Sequence, residues 1–378
     1  MTLTKKDDTE VVFTPSGGSG GGGKEYTFTN GLTETDGVVS LDFYKEGYKG
    51  KNAKIEANGI GSIAFGYLES GGEISTAVKG SMAFGVTEYG GSIIASGIGS
   101  FAHGYADSMP MAAYGTGSHV EGYCTTQMSA SGRGSHAEGC NTISASNYQH
   151  AEGKYNIADS VNTYQGIVGN GTSETARSNA YTLDWQGNGT FAGTVSSSTG
   201  ADYAEYFEWK DGNPNNEDRV GYIVSLDGDK IVKASTGDDV LGICSGTAMV
   251  LGDSAEWNWN KRYLTDDFGR IIYEDRMEHH EAVYNPDGEL IKEAWDEEVH
   301  APKENPDYDA TKAYVKRADR PEWQIVGMMG KLYVRDDGSC IVNGYADVKD
   351  GIATKASGKT NMRVMERVTD NIVRVLMK

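Results

Sequence analysis

The sequence predicts a mostly-β chain in which a β-solenoid precedes a globular, mostly-β C-terminal domain. Three observations carry that expectation. A Gly-Ser-x-Ala-x-Gly unit recurs through the first half of the 378 residues, a second strand-like half-motif alternates with it, and after residue 200 the repeats stop while aromatic and charged residues rise. A fixed period with two short strand units per repeat is the signature of a solenoid.

The repeat runs Gly61-Ser62-Ile63-Ala64-Phe65-Gly66, Gly80-Ser81-Met82-Ala83-Phe84-Gly85, Gly99-Ser100-Phe101-Ala102-His103-Gly104, Gly117-Ser118-His119-Val120-Glu121-Gly122 and Gly134-Ser135-His136-Ala137-Glu138-Gly139, with a last copy ending His150-Ala151-Glu152-Gly153. Between them fall Ile74-Ser75-Thr76, Ile93-Ile94-Ala95, Met111-Ala112-Ala113, Met128-Ser129-Ala130 and Ile143-Ser144-Ala145. Side chains alternate faces along a strand. The central Ala of each unit is therefore expected in a narrow lumen, met from the opposite wall by Ile74, Ile93, Met111, Met128 and Ile143, with glycines at the corners. The flanking positions, Ile63/Phe65, Met82/Phe84 and Phe101/His103, then stack on an outer face. Stacked exposed apolar residues mark an interface, and association about a rotational axis is the simple way to cover them, so Ile63, Phe65, Met82 and Phe84 are expected at the axis of a homo-oligomer, which the resemblance given below implies is a trimer. Further along, the same positions become His119/Glu121, His136/Glu138 and His150/Glu152. This predicts a His/Glu ladder, read either as ordinary hydrogen-bonded pairs or as an ion-binding or acid-sensitive strip.

These units resemble the head repeats of trimeric YadA-like adhesins, and the later copies with Ser-His-Ala-Glu-Gly resemble the version in phage tail proteins. The resemblance covers about residues 57–160 and implies a left-handed β-roll with three chains side by side. The expected organisation is a flexible arm and Gly-rich linker over 1–24, a small β region over 25–56, the roll over 57–160, a β connector over 161–200 and a C-terminal domain over 201–378. In the connector, Ser178–Trp185 and Gly187–Val195 read as two strands about a Gly-Asn turn.

Composition limits the function. The net charge of −20 argues against a nucleic-acid partner, because phosphate recognition needs clustered Lys and Arg. The four cysteines form no Cys-x-x-Cys and are expected to be free. The opening Met-Thr-Leu-Thr-Lys-Lys-Asp-Asp-Thr-Glu lacks an apolar core for a signal peptide, and no apolar run is long enough to span a membrane. The spacing of His279-His280 and His300 matches no metal motif, so no metal and no cofactor are expected.

The candidate chemistry sits at the junction. Ser196-Ser197-Ser198-Thr199-Gly200-Ala201 runs into Asp202-Tyr203-Ala204-Glu205-Tyr206-Phe207-Glu208-Trp209. On a helix, Asp202, Glu205 and Trp209 would share one face. Two such carboxylates can split their pKa values and act as acid and base; the same spacing also suits a plain helix start with acids near its N-terminus. A serine among Ser196–Ser198 is an alternative nucleophile, without a nearby His or Lys to support it. The segment from Gly200 to Trp209, with Asp211-Gly212-Asn213, Glu217-Asp218-Arg219, Pro321-Glu322-Trp323, Gly330-Lys331-Leu332, Asn343-Gly344-Tyr345 and Arg367–Ile372, resembles the autoproteolytic intramolecular-chaperone domain of phage pre-neck appendages and tail spikes. That resemblance implies a glutamic-peptidase-type domain that drives trimer assembly and then releases itself by one cut, with Asp202 and Glu205 as the catalytic pair and Ser196–Ala201 as the cleavage segment. It also implies a virion or phage-like particle as destination, after synthesis in a host cytoplasm, with the N-terminal part bound to a particle scaffold and a host-surface receptor as a candidate partner. A fibre that trimerises without cutting is the alternative. A depolymerase acting on foreign polysaccharide is disfavoured by the thin, Ala-rich roll.

Overall fold

A computed structural model describes residues 53–69, 71–255, 261–284 and 287–378, together with the backbone of five short strands between residues 2 and 41. The chain divides into two compact units, Met1–Val195 and Ser196–Lys378. Of the early strands, Tyr26–Thr29 pairs with Glu10–Thr14, and Leu32–Thr35 pairs with Val38–Leu41. The Gly-rich linker expected over 17–23 lies outside the described residues.

The first unit is a β-solenoid with two parallel sheets. One carries Lys54–Ala57, Glu73–Thr76, Ser92–Ala95, Pro110–Ala113, Met128–Ala130 and Ile143–Ser144. The other carries Ile63–Leu68, Met82–Glu88, Phe101–Asp107, His119–Cys124, His136–Cys140, His150–Lys154 and Tyr164–Asn170, then turns antiparallel through Asn179–Asp184 and Gly189–Phe191. Each repeat sits in register on the next, Ala64 on Ala83, Ala83 on Ala102, Ala102 on Val120 and Val120 on Ala137. These residues, with Ile74, Ile93, Met111 and Met128, form the buried lumen. The small Ala lets two walls approach closely, and the longer side chains from the facing sheet fill the gap between rungs. The repeated serine closes each corner: Ser62, Ser81 and Ser135 donate to the carbonyls of Gly59, Val78 and Gly132 at 2.7, 2.7 and 2.8 Å. A side chain at Gly85 would collide with the Gly104 carbonyl of the next coil, so only glycine permits this stacking distance.

The last coil departs from the expected pattern. Ile143 pairs with Ser129, not with Met128, and is only half-buried, while Thr142 is fully buried. A one-residue slip exchanges the faces of a strand, so Ile143 does not fill the lumen. Polar side chains close it instead. Asn141 Oδ1 accepts from the backbone of Thr125 and Thr126 (2.8 and 2.9 Å), Asn156 Oδ1 accepts from Ile143 N–H (2.8 Å), and Gln149 donates to Asp159 (3.1 Å). Buried polar groups with partners cap the apolar lumen at little net cost.

The second unit is built on a large, mostly antiparallel sheet in the order Lys230–Lys233, Ile223–Asp227, Gly242–Cys244, Trp323–Arg335, Ile372–Met377, Met362–Thr369, Tyr345–Lys349, Ile352–Lys355. The expected pair of strands about residues 323–334 is one continuous strand, and the C-terminal tail is a strand pair. Ile223, Ile243, Leu332, Val334, Val364 and Val375 form one core cluster; Trp209, Val224, Ile231, Cys244 and Val326 form a second. The charged excursion between them contains a hairpin of Tyr273–His280 and Trp295–Pro302.

Candidate functional site

Asp202–Glu208 is a strand, which corrects the helical face expected for Asp202, Glu205 and Trp209. Its aromatic-rich sequence suits a pleated, half-buried surface, and two neighbours claim its backbone: antiparallel Trp323–Arg335 and parallel Ala248–Gly252. Strand geometry alternates the side chains, so Asp202, Ala204 and Tyr206 are buried, whereas Tyr203 is exposed and Glu205 half-exposed. Asp202 and Glu205, three residues apart, thus lie on opposite faces.

Asp202 is only 3% exposed. Its Oδ1 accepts the Thr247 hydroxyl at 3.1 Å, and its Oδ2 is buried without a hydrogen-bond partner. Burial pushes this carboxyl above its ordinary range, opposed in part by the Ser245 and Thr247 hydroxyls. A carboxyl held this way keeps its proton at higher pH and is suited to donate it. Glu205 instead accepts the Tyr203 hydroxyl at 2.5 Å on the other face.

The preceding segment leads directly into this carboxyl. Ser196, Ser197, Ser198 and Thr199 are exposed, and the Ser197 hydroxyl accepts from the backbone N–H groups of Thr199 and Gly200 (3.3 and 2.8 Å). Gly200 and Ala201 are half-buried. Ala201 is clamped: its N–H donates to the Thr247 carbonyl at 3.0 Å, and its carbonyl accepts from Lys331 N–H at 3.3 Å. Two glycines of the long strand make room. A Cβ on Gly327 would stand 2.6 Å from Asp202 Oδ2, and one on Gly330 would press on the Ala201 carbonyl and stand 2.9 Å from Asp202 Cα. Thr247, Gly327 and Gly330 are therefore parts of the site that the sequence pattern alone did not single out. Val326-Gly327 and Gly330-Lys331-Leu332 belong to the segments that carry the family resemblance, but the close approach of both glycines depends on strand pairing.

The other singled-out residues lie in the first unit. Phe65 stacks on Phe84 with ring centroids 4.8 Å apart, and Phe84 on His103 at 5.0 Å. Ile63 is exposed, while Phe65, Met82 and Phe84 are half-buried on the outer face of their sheet. His119, His136 and His150 form a stacked column with centroids 4.5 and 4.7 Å apart. Glu121 and Glu138 pair in register beside it, and Glu152, half-buried, pairs with Val168. The four cysteines are free thiols. No helix among the described residues is long and apolar enough to cross a membrane.

The chain thus joins a repeat-built β-solenoid to a mostly-β domain in which an exposed hydroxyl-rich segment runs into a buried carboxyl. The chain belongs to the Peptidase_G2 family, the IMC autoproteolytic cleavage domain, whose model matches residues 140–373. That match begins within the last coils of the solenoid, upstream of the start at 201 expected from sequence. Over 174 residues the chain is 42% identical to a phage-related protein, YobO, of Bacillus subtilis, covering 46% of this chain and 19% of that one. Over 156 residues it is 38% identical to the pre-neck appendage protein of Bacillus phage B103, covering 41% and 16%. It thus spans under a fifth of the length of these relatives. The fold is similar to that of pre-mature gene product 12 of bacteriophage phi29, with a TM-score of 0.50 at 24% identity, covering 85% of this chain and 39% of that one.

Proposed function

We propose that this chain is a structural component of a phage-type appendage that assembles as a parallel homotrimer and then hydrolyses one of its own peptide bonds within Ser196–Asp202. The observation that carries the proposal is the buried Asp202 carboxyl at the end of an exposed segment whose last residue, Ala201, is held on both sides by neighbouring strands. The bond that fits best is Ala201–Asp202. Lys331 N–H already points at the Ala201 oxygen, where charge develops as water adds to the carbonyl carbon. As the C–N bond breaks, the leaving nitrogen takes the proton held by the Asp202 carboxyl. The proton released by water needs a base, and Glu205 faces away within its own chain.

Glu205 lies on a face with exposed apolar neighbours, Tyr203, Val250 and Met329, which a second copy would cover. We assign Glu205 the base role at the segment of an adjacent protomer. The cut then waits for assembly, and removal of the domain makes trimerisation hard to reverse. Anchoring to a particle scaffold through the N-terminal part, and binding to a host-surface receptor, belong to the same reading by analogy with the pre-neck appendage proteins. Coexpression of Asp202→Asn and Glu205→Gln chains tests the arrangement. Each variant alone is expected to stay intact, while mixed trimers should cut the Glu205→Gln chain, which keeps its own Asp202 and borrows Glu205. Intact chains in verified mixed trimers would refute the shared site.

A further inference from the structure

The outer face of the solenoid changes chemistry halfway along. One column runs Ile63, Met82, Phe101, His119, His136, His150; the column beside it runs Phe65, Phe84, His103, Glu121, Glu138. The first rungs satisfy each other by apolar and ring stacking. The later rungs bring imidazoles and carboxylates into the same strip, half-buried as far as Glu138 and exposed at His150, where a buried unmatched polar atom costs free energy. Two such atoms exist: Nε2 of His119 and Nε2 of His136 are buried and have no hydrogen-bond partner.

Their neighbours are ligand types. His103 Nε2 lies 2.8 Å and His119 Nε2 3.9 Å from the same Glu121 oxygen, Oε2. His136 Nε2 lies between the two carboxylates, 3.6 Å from Glu121 Oε1 and 3.9 Å from Glu138 Oε2, and His150 Nε2 lies 3.7 Å from Glu138 Oε1. In each of the two triads, His103/His119/Glu121 and His136/Glu138/His150, the three ligand atoms lie within 4.8 Å of one another. Two donors about 2.0–2.1 Å from one tetrahedral ion stand roughly 3.3 Å apart; the separations of 2.8 and 3.9 Å in the first triad bracket that value, and those of 3.9 and 3.7 Å in the second exceed it slightly, so that triad would close on its ion.

We propose that this strip is a two-site binding ladder for a late first-row divalent cation, Zn²⁺ being the best match, with one ion in each triad. Two imidazoles and a carboxylate are a borderline donor set that favours Zn²⁺ over Mg²⁺ or Ca²⁺, which prefer all-oxygen shells. Each ion would add a further tie between neighbouring coils, since the ligands of a triad come from successive strands. This function is independent of the proposed cut.

The test is the full chain produced with added zinc, dialysed, and assayed for metal by mass spectrometry. Wild type is expected to retain two ions per chain more than the Glu121→Gln/Glu138→Gln double variant, and each single variant one ion fewer than wild type. The hairpin histidines His279, His280 and His300 contribute equally to all and cancel. His119→Phe supplies a variant that folds by extending the existing stack, because Phe101 occupies that column one rung earlier at 4.8 Å; it should lose one ion while keeping the far-ultraviolet spectrum. Equal zinc content in wild type and double variant, or full content in His119→Phe, would overturn the proposal.

Discussion

Gly327→Ala separates the chemistry of the site from the stability of its domain. The new methyl would stand 2.6 Å from Asp202 Oδ2 and closer still to Leu332 Cδ2. Both are ends of side chains, and either can rotate away. Overpacking of this kind costs about 1–3 kcal/mol, which a domain with two apolar clusters should tolerate. The carboxyl, however, can clear the methyl only by leaving the position beside Thr247. A displacement near 1 Å of a reacting group costs on the order of 10²-fold in rate. The assay is a time course of freshly produced chain on a denaturing gel, with circular dichroism to verify folding. Gly358→Ala is the control, because a Cβ there meets nothing within 4 Å. The control should cut like wild type and Gly327→Ala about a hundredfold more slowly. A folded Gly327→Ala chain that cuts at the wild-type rate would refute the placement of Asp202 at the reacting bond.

Two further outcomes follow from the same geometry. Phe84→Asp puts a charge into the Phe65–Phe84–His103 stack and should block trimer formation, because an unpaired charge would be buried; light scattering in an Asp202→Asn background should give one chain mass instead of three, and a trimeric variant would remove this face from the axis. Asp211 holds Arg219 over Trp209, and the guanidinium pulls the Asp211 carboxyl down to about 2. A folded pKa below the unfolded value near 3.9 gives stability that is present above that value and lost as pH falls towards about 2. Acid unfolding of the C-terminal domain should therefore flatten in that window in Asp211→Asn, and an unchanged acid profile would contradict the assignment.

The solenoid was legible because its physics is local and repeated. Ala at the fourth position of the unit, replaced once by Val120, and Gly-Ser opening five of its copies state both the lumen and the turn. The Ile143 reading failed because a slip of one residue leaves the repeat motif recognisable while exchanging its faces, and only the neighbouring strand fixes which register holds. The junction was half legible. Asp202 could be singled out from sequence, but helix spacing and strand alternation compete over Asp202–Glu208, and pairing with Trp323–Arg335 decides between them. That pairing comes from more than a hundred residues away, as do the clearances at Gly327 and Gly330. The Thr247 hydroxyl, 45 residues distant from its carboxyl, carries no local mark at all.

The most direct measurement is the intact mass of freshly assembled wild-type chain beside Asp202→Asn. Wild type should give two fragments divided at the Ala201–Asp202 bond, and the variant a single intact chain that still trimerises. An uncut wild type, or an Asp202→Asn chain that divides at the same bond, would contradict this expectation.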